Sequence, residues 1–479
     1  MFSNSVINFL GKALDSFNSV GESIVFFNLL SIFGINDIKL PLVIGILLFG
    51  CVFYTIKLRF INIFKLKYAT KILLNSESDH KNNKSTGKQE SISSLKALSV
   101  SIAGAAGLGN IAGVAAAITV GGIGSIFWML IAALMCMPLR FAEVFLGHYY
   151  RIKNGNEFLG GPAYYITSGL KEIGWAKIGK VVAVIYAVMF CFSTIGGPSS
   201  FQINQVSQSL ATNFGFGLIG RAWSSLVIVV LVGIVITGGV KRIGSVISKI
   251  LPVMICVYFI SCLYIIFINY QALPKTICSI LSAAFSSPSS LYGGFIGAAV
   301  IAFQRIIVAN ETGFGTAATI HSNSSNNDSI KEGFVSMASP IIDTIFVCFI
   351  TGIVIVITDS YNPNLQGIDM LITAFRQENE WMKYIISAMT PIMAMNLMIA
   401  WSYYGIKNIK FLFGDSKLAK YSFIAIFLLA GLSGGLITNF MAVIKLTDIL
   451  VLSLVIPNVT AVVLLNKKVL EKYKKYNNK

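Results

Sequence analysis

The sequence predicts an all-α polytopic membrane protein with about eleven transmembrane helices, two of them interrupted in their middles. Three observations predict this. The 479 residues are 55% hydrophobic and only 12% charged, with a mean hydropathy of +0.75, whereas soluble domains carry about 25% charged residues. Apolar runs of 18 or more residues recur along the chain, and each is long enough to cross a ~30 Å hydrocarbon core. Two of the runs hold clusters of glycine and polar residues at their centres.

The runs lie near 40–58, 94–120, 122–147, 179–197, 222–240, 246–270, 292–317, 334–358, 381–404, 420–437 and 441–465. Before them, residues 1–34 read as a mixed amphipathic start in which Lys12, Asp15 and Glu22 interrupt the apolar residues; no cleavable signal pattern is evident. Residues 59–93 form the longest polar stretch within the chain, with a flexible-looking connector at 75–91, and SNSSNNDS at 322–329 reads as a second loop. The chain therefore divides into residues 1–93 with one extra span, a first set of five spans at 94–270, a second at 292–465, and a basic tail at 466–479.

Lysine and arginine stay on the cytoplasmic side of membrane proteins. With the 59–93 loop inside and the spans alternating, 28 of the 37 basic residues fall in inside segments and seven in outside segments. Arg140 and Arg305 lie within spans. The amino terminus is then expected outside and the carboxyl terminus in the cytoplasm. The net charge of +17 is accounted for by this topology, so it argues for an anionic leaflet and against a nucleic-acid partner. Seven cysteines are scattered, mostly inside apolar runs, without CxxC spacing, and read as small buried hydrophobes. His80, His148 and His321 form no metal-spaced pair.

The second run reads SLKALSVSIAGAAGLGNIAGVAAAITV, with Gly104, Gly107, Gly109, Asn110 and Gly113 in its middle. The seventh places Asn310, Glu311, Thr312, Gly313 and Gly315 deep in an apolar stretch. Counted from the second run, these breaks fall in helices one and six of ten, which enter the membrane in opposite directions. Paired breaks of this kind are the signature of a secondary transporter. Unwinding frees backbone groups that lipid cannot satisfy, so the unwound backbone must line protein or a water cavity. Freed N–H groups and a helix N-terminus suit a carboxylate, and freed carbonyls, here those of Ala105, Ala106 and Leu108, suit a dehydrated Na⁺. The glycines alone would also serve close helix packing.

The same residues carry a family resemblance. SIAGAAGLGNIAGVAAAI, then GGIGSIFWM and RFAEVFLGHYYR, resembles the signature stretch of the alanine or glycine:cation symporters, within the amino acid–polyamine–organocation superfamily. VANETGFGTAA, SPIIDTIFVC and WSYYG at 401–405 resemble further motifs of that family, in order, between about residues 90 and 415. The resemblance implies a five-plus-five inverted repeat with discontinuous first and sixth core helices and one extra helix in front. It also implies uptake of a small neutral amino acid such as alanine or glycine with Na⁺, or H⁺, across a bacterial plasma membrane and without other cofactors. The chain departs from the family at Leu108, Ala309, Thr312 and Ala400, where Thr, Ser, Ala and Gly are usual.

On this reading Gly107, Gly109 and Asn110 present backbone and amide groups to the substrate carboxylate or a cation, and Asn310, Glu311 and Gly313 form the facing wall. A carboxylate in the hydrocarbon region costs ~2.5 kcal/mol or more unless paired, so Glu311 needs a partner, either Arg305 or the substrate ammonium. Trp401 and Phe303 are candidate pocket walls. Thr312 and Asp343 are coupling candidates, with a local capping or pairing role the alternative for Asp343. Gln202 and Asn204 are vestibule candidates by resemblance, although loop residues look the same. Arg140 and Glu143, three apart, read as a local ion pair or a loop anchor near the cytoplasmic face.

Other classes fit less well. A channel would show a repeated filter or charge rings, and an intramembrane enzyme a nucleophile–base pair or metal cluster. No GxxxxGK[ST] loop is present. A membrane amino-acid sensor would share the pocket.

Overall fold

In lipid, backbone polar groups must be satisfied within each spanning segment, so long apolar runs fold as helices. A computed structural model shows where they begin and end. It describes residues 18–478 apart from 20, 24, 35–39, 73–90, 156, 287–293, 363–364, 366 and 438. Lys12, Asp15 and most of the 75–91 connector lie outside the described residues.

Each of the eleven expected spans has a helical counterpart, but among the described residues only eight helices, or nine with one bent pair counted as a span, are long and apolar enough to cross a membrane; the leading span and the sixth core helix are shorter. The leading span is α1 (Leu42–Lys57). The first core span is a pair, α2 (Ser94–Ala105) and α3 (Gly109–Gly121), bent by 42°. Ser93 starts α2 by accepting from Lys96 N (3.3 Å), as an N-cap should. Then come α4 (Ser125–Tyr149), a hairpin of β1 (Ile152–Asn154) and β2 (Glu157–Leu159), and α5 (Pro162–Glu172). The third to fifth core helices are α6 (Ala176–Phe214), α7 (Leu218–Ile236) and α8 (Gly239–Ile268). After α9 (Leu273–Ser286), the sixth core helix is again broken, as α10 (Gly294–Asn310) and α11 (Thr316–His321). The rest are α12 (Ser329–Ile357), the short α13 (Asp369–Glu378), α14 (Met382–Phe413), α15 (Lys417–Leu436), α16 (Met441–Leu464) and a tail helix α17 (Asn466–Asn477).

The sequence reading does not anticipate α5, α9 or α13, at most 14 residues each, because none is long enough to register as a span. It also ends the third core span too early. The run at 179–197 continues through a π-helical turn, Ile195–Ser199, into FQINQ, giving a 39-residue helix ~58 Å long. Pro198 lacks the N–H that a regular α-turn needs there. Gln202 and Asn204 are consequently buried helix residues and not loop residues.

Burial sorts the helices into two layers. Residues of α4 and α14 are 78% and 72% buried over their apolar windows, whereas α7, α8 and α15 are 33% buried. The second group exposes Trp223, Val227, Val253, Ile260, Phe267 and Leu429, an apolar surface of the size that only lipid covers comfortably. At the centre α10 packs on both α4 and α3, and α2 on α14. The basic segments gather at one end of the bundle. There Lys407 Nζ pairs with Glu157 (2.5 Å), Lys468 Nζ with Glu172 (2.9 Å), and Arg151 donates to Ser322 O (3.0 Å).

The same end holds a buried polar network around Glu332. Its carboxylate bonds His321 Nδ1 (2.6 Å), Ser94 Oγ (2.7 Å) and Asn326 Nδ2 (3.2 Å). Backbone bonds between Ile92 and residues 323–325 join the same strands of chain. The first turn of α2 is thereby tied to the end of α11 and the start of α12.

Candidate substrate and cation site

The unwound residues raise an accounting question, since buried backbone groups need partners. At the second break, fully buried side chains from other helices answer it. Arg140 of α4 donates to Asn310 O, the last carbonyl of α10. Gly313 N donates to Glu143 Oε2 (3.2 Å), and Gly313 O accepts from Asn458 Nδ2 (2.8 Å). Phe314 O accepts from the Tyr186 hydroxyl (2.6 Å), and Thr312 N donates to Asn310 Oδ1 (3.2 Å). Glu311 itself takes a left-handed conformation with φ 54, which is strained for a residue with a side chain. That conformation turns the chain between α10 and α11.

At the first break, Leu108 N donates to Gln202 Oε1 (3.1 Å) of α6. With its amide oriented to satisfy both contacts, Asn110 Nδ2 donates to Ala105 O (2.8 Å) and, across the gap, to Ala309 O (3.1 Å). Trp401 of α14 also reaches both breaks. Its indole N–H is shared between Gly104 O (3.2 Å) and Glu311 Oε1.

Between the breaks lies a cavity of about 40 Å³, room for ~3 waters at ~10–15 Å³ each. Gly104, Ala105, Gly109 and Gly113 line one side, and Glu311, Val308 and Arg305 face them. Phe201, Gln202, Leu397 and Trp401 close it laterally, with Thr447 and Asp448 of α16. A Cβ added at Gly109 or Gly113 would meet no atom within 4 Å, so both glycines keep volume free for a ligand. At Gly104 it would stand 2.8 Å from the Tyr404 hydroxyl and 3.2 Å from Glu311 Oε2. Glu311 Oε2 is buried without a hydrogen-bond partner. Two carboxylates line the pocket: Asp448, which is paired with Arg305, and Glu311, which faces the N-terminal end of α3.

A family model described as the sodium:alanine symporter family matches residues 28–479. The chain belongs to that family. The sodium/alanine symporter AgcS of Methanococcus maripaludis is 31% identical over 91% of this chain and 94% of its own length. The probable sodium/glutamine symporter GlnT of Bacillus subtilis is likewise 31% identical, over 91% and 87%. An uncharacterized transporter of Haemophilus influenzae is 34% identical over 90% and 92%. Among solved structures, MhsT in complex with L-phenylalanine superposes with a TM-score of 0.56 at 14% identity, covering 76% of this chain and 88% of that one. This last likeness concerns the fold alone. The protein is a cation-coupled amino-acid transporter of the multi-pass membrane class, not an enzyme.

In this member of the sodium:alanine symporter family, the residues expected from the sequence separate. Gly109, Gln202, Arg305, Glu311 and Trp401 meet at the cavity. Gly107 does not line it; its Cβ position is blocked by Leu397 Cδ1 at 2.2 Å, so this glycine is required for packing of the break. Asn110 spends its amide on two carbonyls, and no donor is left over for a ligand. Gly313 faces Leu47, Val455 and Val459, away from the pocket. Asn310 caps Thr312 N, and Thr312 Oγ1 is buried without a partner. Phe303 is buried elsewhere, and Phe201 is the aromatic wall in its place. Asn204 ties α6 to α15 through Gly434 O (3.2 Å) and Ile437 O, a packing role and not a vestibule one. Asp343 accepts from Ser339 Oγ (3.0 Å), a local pairing.

Three corrections concern charge. Arg305 does not pair with Glu311; its guanidinium binds Asp448 of α16, which sequence reading passed over. The signal was there, because Asp448 is an ionisable residue inside an apolar run. Arg140 and Glu143 form no ion pair with each other among the described residues. They are not loop anchors either, since both are fully buried and hold the second break. Of the three carbonyls expected to suit Na⁺, Ala105 O and Leu108 O already accept backbone N–H groups (2.8 Å each). Ala106 O accepts none of the cap and turn bonds found at this break among the described residues.

Proposed function

We propose that this transporter imports a small neutral amino acid, alanine or glycine in the first instance, together with Na⁺, by alternating access. The observation that carries the reading is the buried, unpartnered Oε2 of Glu311 facing the start of α3 across a cavity of about 40 Å³. A zwitterion matches that polarity. Its ammonium pairs with Glu311, which removes the uncompensated charge that makes a membrane carboxylate expensive. Its carboxylate sits toward the amino end of α3, where the helix dipole favours an anion. The small volume between the breaks favours a small side chain. A dehydrated Na⁺ suits oxygen ligands, and the Ala106 carbonyl and Thr312 hydroxyl are available next to the two breaks; a proton on Glu311 is the alternative coupling ion.

The relatives' printed names support the class, since one is a sodium/alanine symporter. They do not select the substrate, since another is named for glutamine. The gathering of basic segments at one end of the bundle supports an orientation with that end cytoplasmic in a bacterial plasma membrane. The amino terminus is then outside and the carboxyl terminus inside.

The test is uptake of labelled alanine into liposomes holding the purified protein, with an inward Na⁺ gradient against equal Na⁺ on both sides. Accumulation above the external concentration that collapses when the gradient is removed is expected. Equilibration that ignores the gradient would refute coupling. Binding without flux would replace transport by sensing.

A further inference from the structure

A second, larger recess lies at the basic end of the bundle. It is a cleft of about 280 Å³ between the start of α8, the end of α14 and the start of α15. Lys407, Lys410, Lys417 and Lys420 line it against only two carboxylates, Glu157 and Asp415. Those two acids are already spent. Glu157 pairs with Lys407 (2.5 Å) and with Lys410, and Asp415 pairs with Lys410 (2.5 Å). Burial pushes the Glu157 carboxyl up, yet the two lysines beside it hold it below its ordinary value. Lys417 and Lys420 have no acidic partner among the described residues; Lys420 lies over the Tyr421 ring at 5.6 Å.

The two lysines without acidic partners stand in the first turn of α15, which carries no acidic residue. The amino end of a helix is already positive, so cations there cost stability and anions add it. An arrangement that opposes the fold's own electrostatics is explained if an anion completes it. The walls say what kind. Val240, Ile243 and Ile409 make one face of the cleft apolar. Next to the lining in sequence, Phe413, Leu418 and Tyr421 are 61%, 80% and 52% exposed. A free phosphate would use the lysines and leave the apolar face wet. A phospholipid uses both.

We propose that this cleft is a binding site for the phosphate of an anionic phospholipid headgroup, held by Lys417 and Lys420 with the acyl chains along the apolar face. Basic pockets between helices at the cytoplasmic leaflet recognise such headgroups. The bound lipid would touch α8 of the first repeat through its acyl chains and α15 of the second through its phosphate. The inference stands on its own cleft and does not require the transport reading.

The experiment uses the full chain in neutral detergent. It is titrated with short-chain phosphatidylglycerol, phosphatidylcholine or inorganic phosphate, and bound lipid is counted by native mass spectrometry. Phosphatidylglycerol is expected to bind in preference to phosphatidylcholine. Each surface lysine is worth about 5-fold in attraction to anionic lipid, so Lys417→Gln with Lys420→Gln should weaken phosphatidylglycerol binding about 25-fold. The matched change Lys474→Gln with Lys475→Gln, on exposed positions of α17, should leave it unchanged. Thermal unfolding without lipid checks the fold, and neutralising the first turn of α15 should not lower its midpoint. Wild-type affinity in the cleft variant overturns the site, and equal loss in the tail variant reduces it to diffuse attraction. Inorganic phosphate that displaces the lipid at similar concentration overturns the lipid assignment in favour of a soluble anion.

Discussion

Replacing Glu311 by glutamine separates the charge of this residue from its shape. Glutamine retains an acceptor for Trp401 Nε1, which bonds Glu311 Oε1, so the bridge between α14 and the second break survives. What disappears is the negative charge at Oε2, a buried atom that makes no well-formed hydrogen bond although the Thr316 hydroxyl lies beside the carboxylate. A hydrogen bond to a charged group contributes ~1.5–3 kcal/mol, which corresponds to roughly 10- to 150-fold in affinity. Glu311→Gln should therefore weaken alanine binding by that factor in a Na⁺-saturated equilibrium assay, with the thermal midpoint close to wild type. Uptake in liposomes should fall in parallel. If Glu311→Gln binds alanine as tightly as wild type and with the same Na⁺ dependence, the ammonium does not sit on Glu311, and the orientation of the substrate proposed above is wrong.

Three further outcomes follow from the geometry. Gly109→Ala should leave the fold intact, because its methyl group enters open space, yet bulkier substrates should lose affinity before glycine does. Gly107→Ala should instead lower thermal stability by ~1–3 kcal/mol through overpacking against Leu397. Arg305→Leu should destabilise the protein by ~3–5 kcal/mol, since it leaves the Asp448 charge buried with only the neutral Gln304 amide to bond it, and adding Asp448→Leu should restore much of the loss. The fourth concerns pH. Because the folded-state pKa of Glu157 is lowered, with Lys407 and Lys410 outweighing burial, its contribution to stability is present above the usual carboxylate value of ~4.3 and is lost as pH falls through the folded value. A Glu157→Gln variant should lack that acid-side loss in thermal unfolding scans carried from about pH 5 down to about pH 3, through the lowered folded value.

The candidate site was half legible in the chain. Gly109, Glu311 and Trp401 could be found because glycine, charge and tryptophan are conspicuous inside apolar runs, and the structure gathers them at one cavity. Asn110 and Gly313 were equally conspicuous but belong to the scaffold: one spends its amide on Ala105 O and Ala309 O, and the other feeds Glu143 and Asn458. A polar residue beside a break reads the same in sequence whether it serves a ligand or the broken backbone. Phe201 and Leu397 gave no signal, since an aromatic or a leucine in a membrane helix is ordinary until its neighbour across the bundle is known.

Composition and spacing by themselves determined the membrane solvent and the two interruptions. These are one-dimensional properties: hydrocarbon thickness fixes how many apolar residues a span needs, and a cluster such as Gly-Leu-Gly-Asn inside one marks an interruption. Partner choice was decided only in three dimensions. Arg305 chose Asp448, 143 residues away, and Arg140 chose the Asn310 carbonyl, 170 residues away. Each buried charge or freed backbone group must be met by whatever the packing brings within hydrogen-bond reach, and that distance is set by helix crossing, which a linear spacing does not contain.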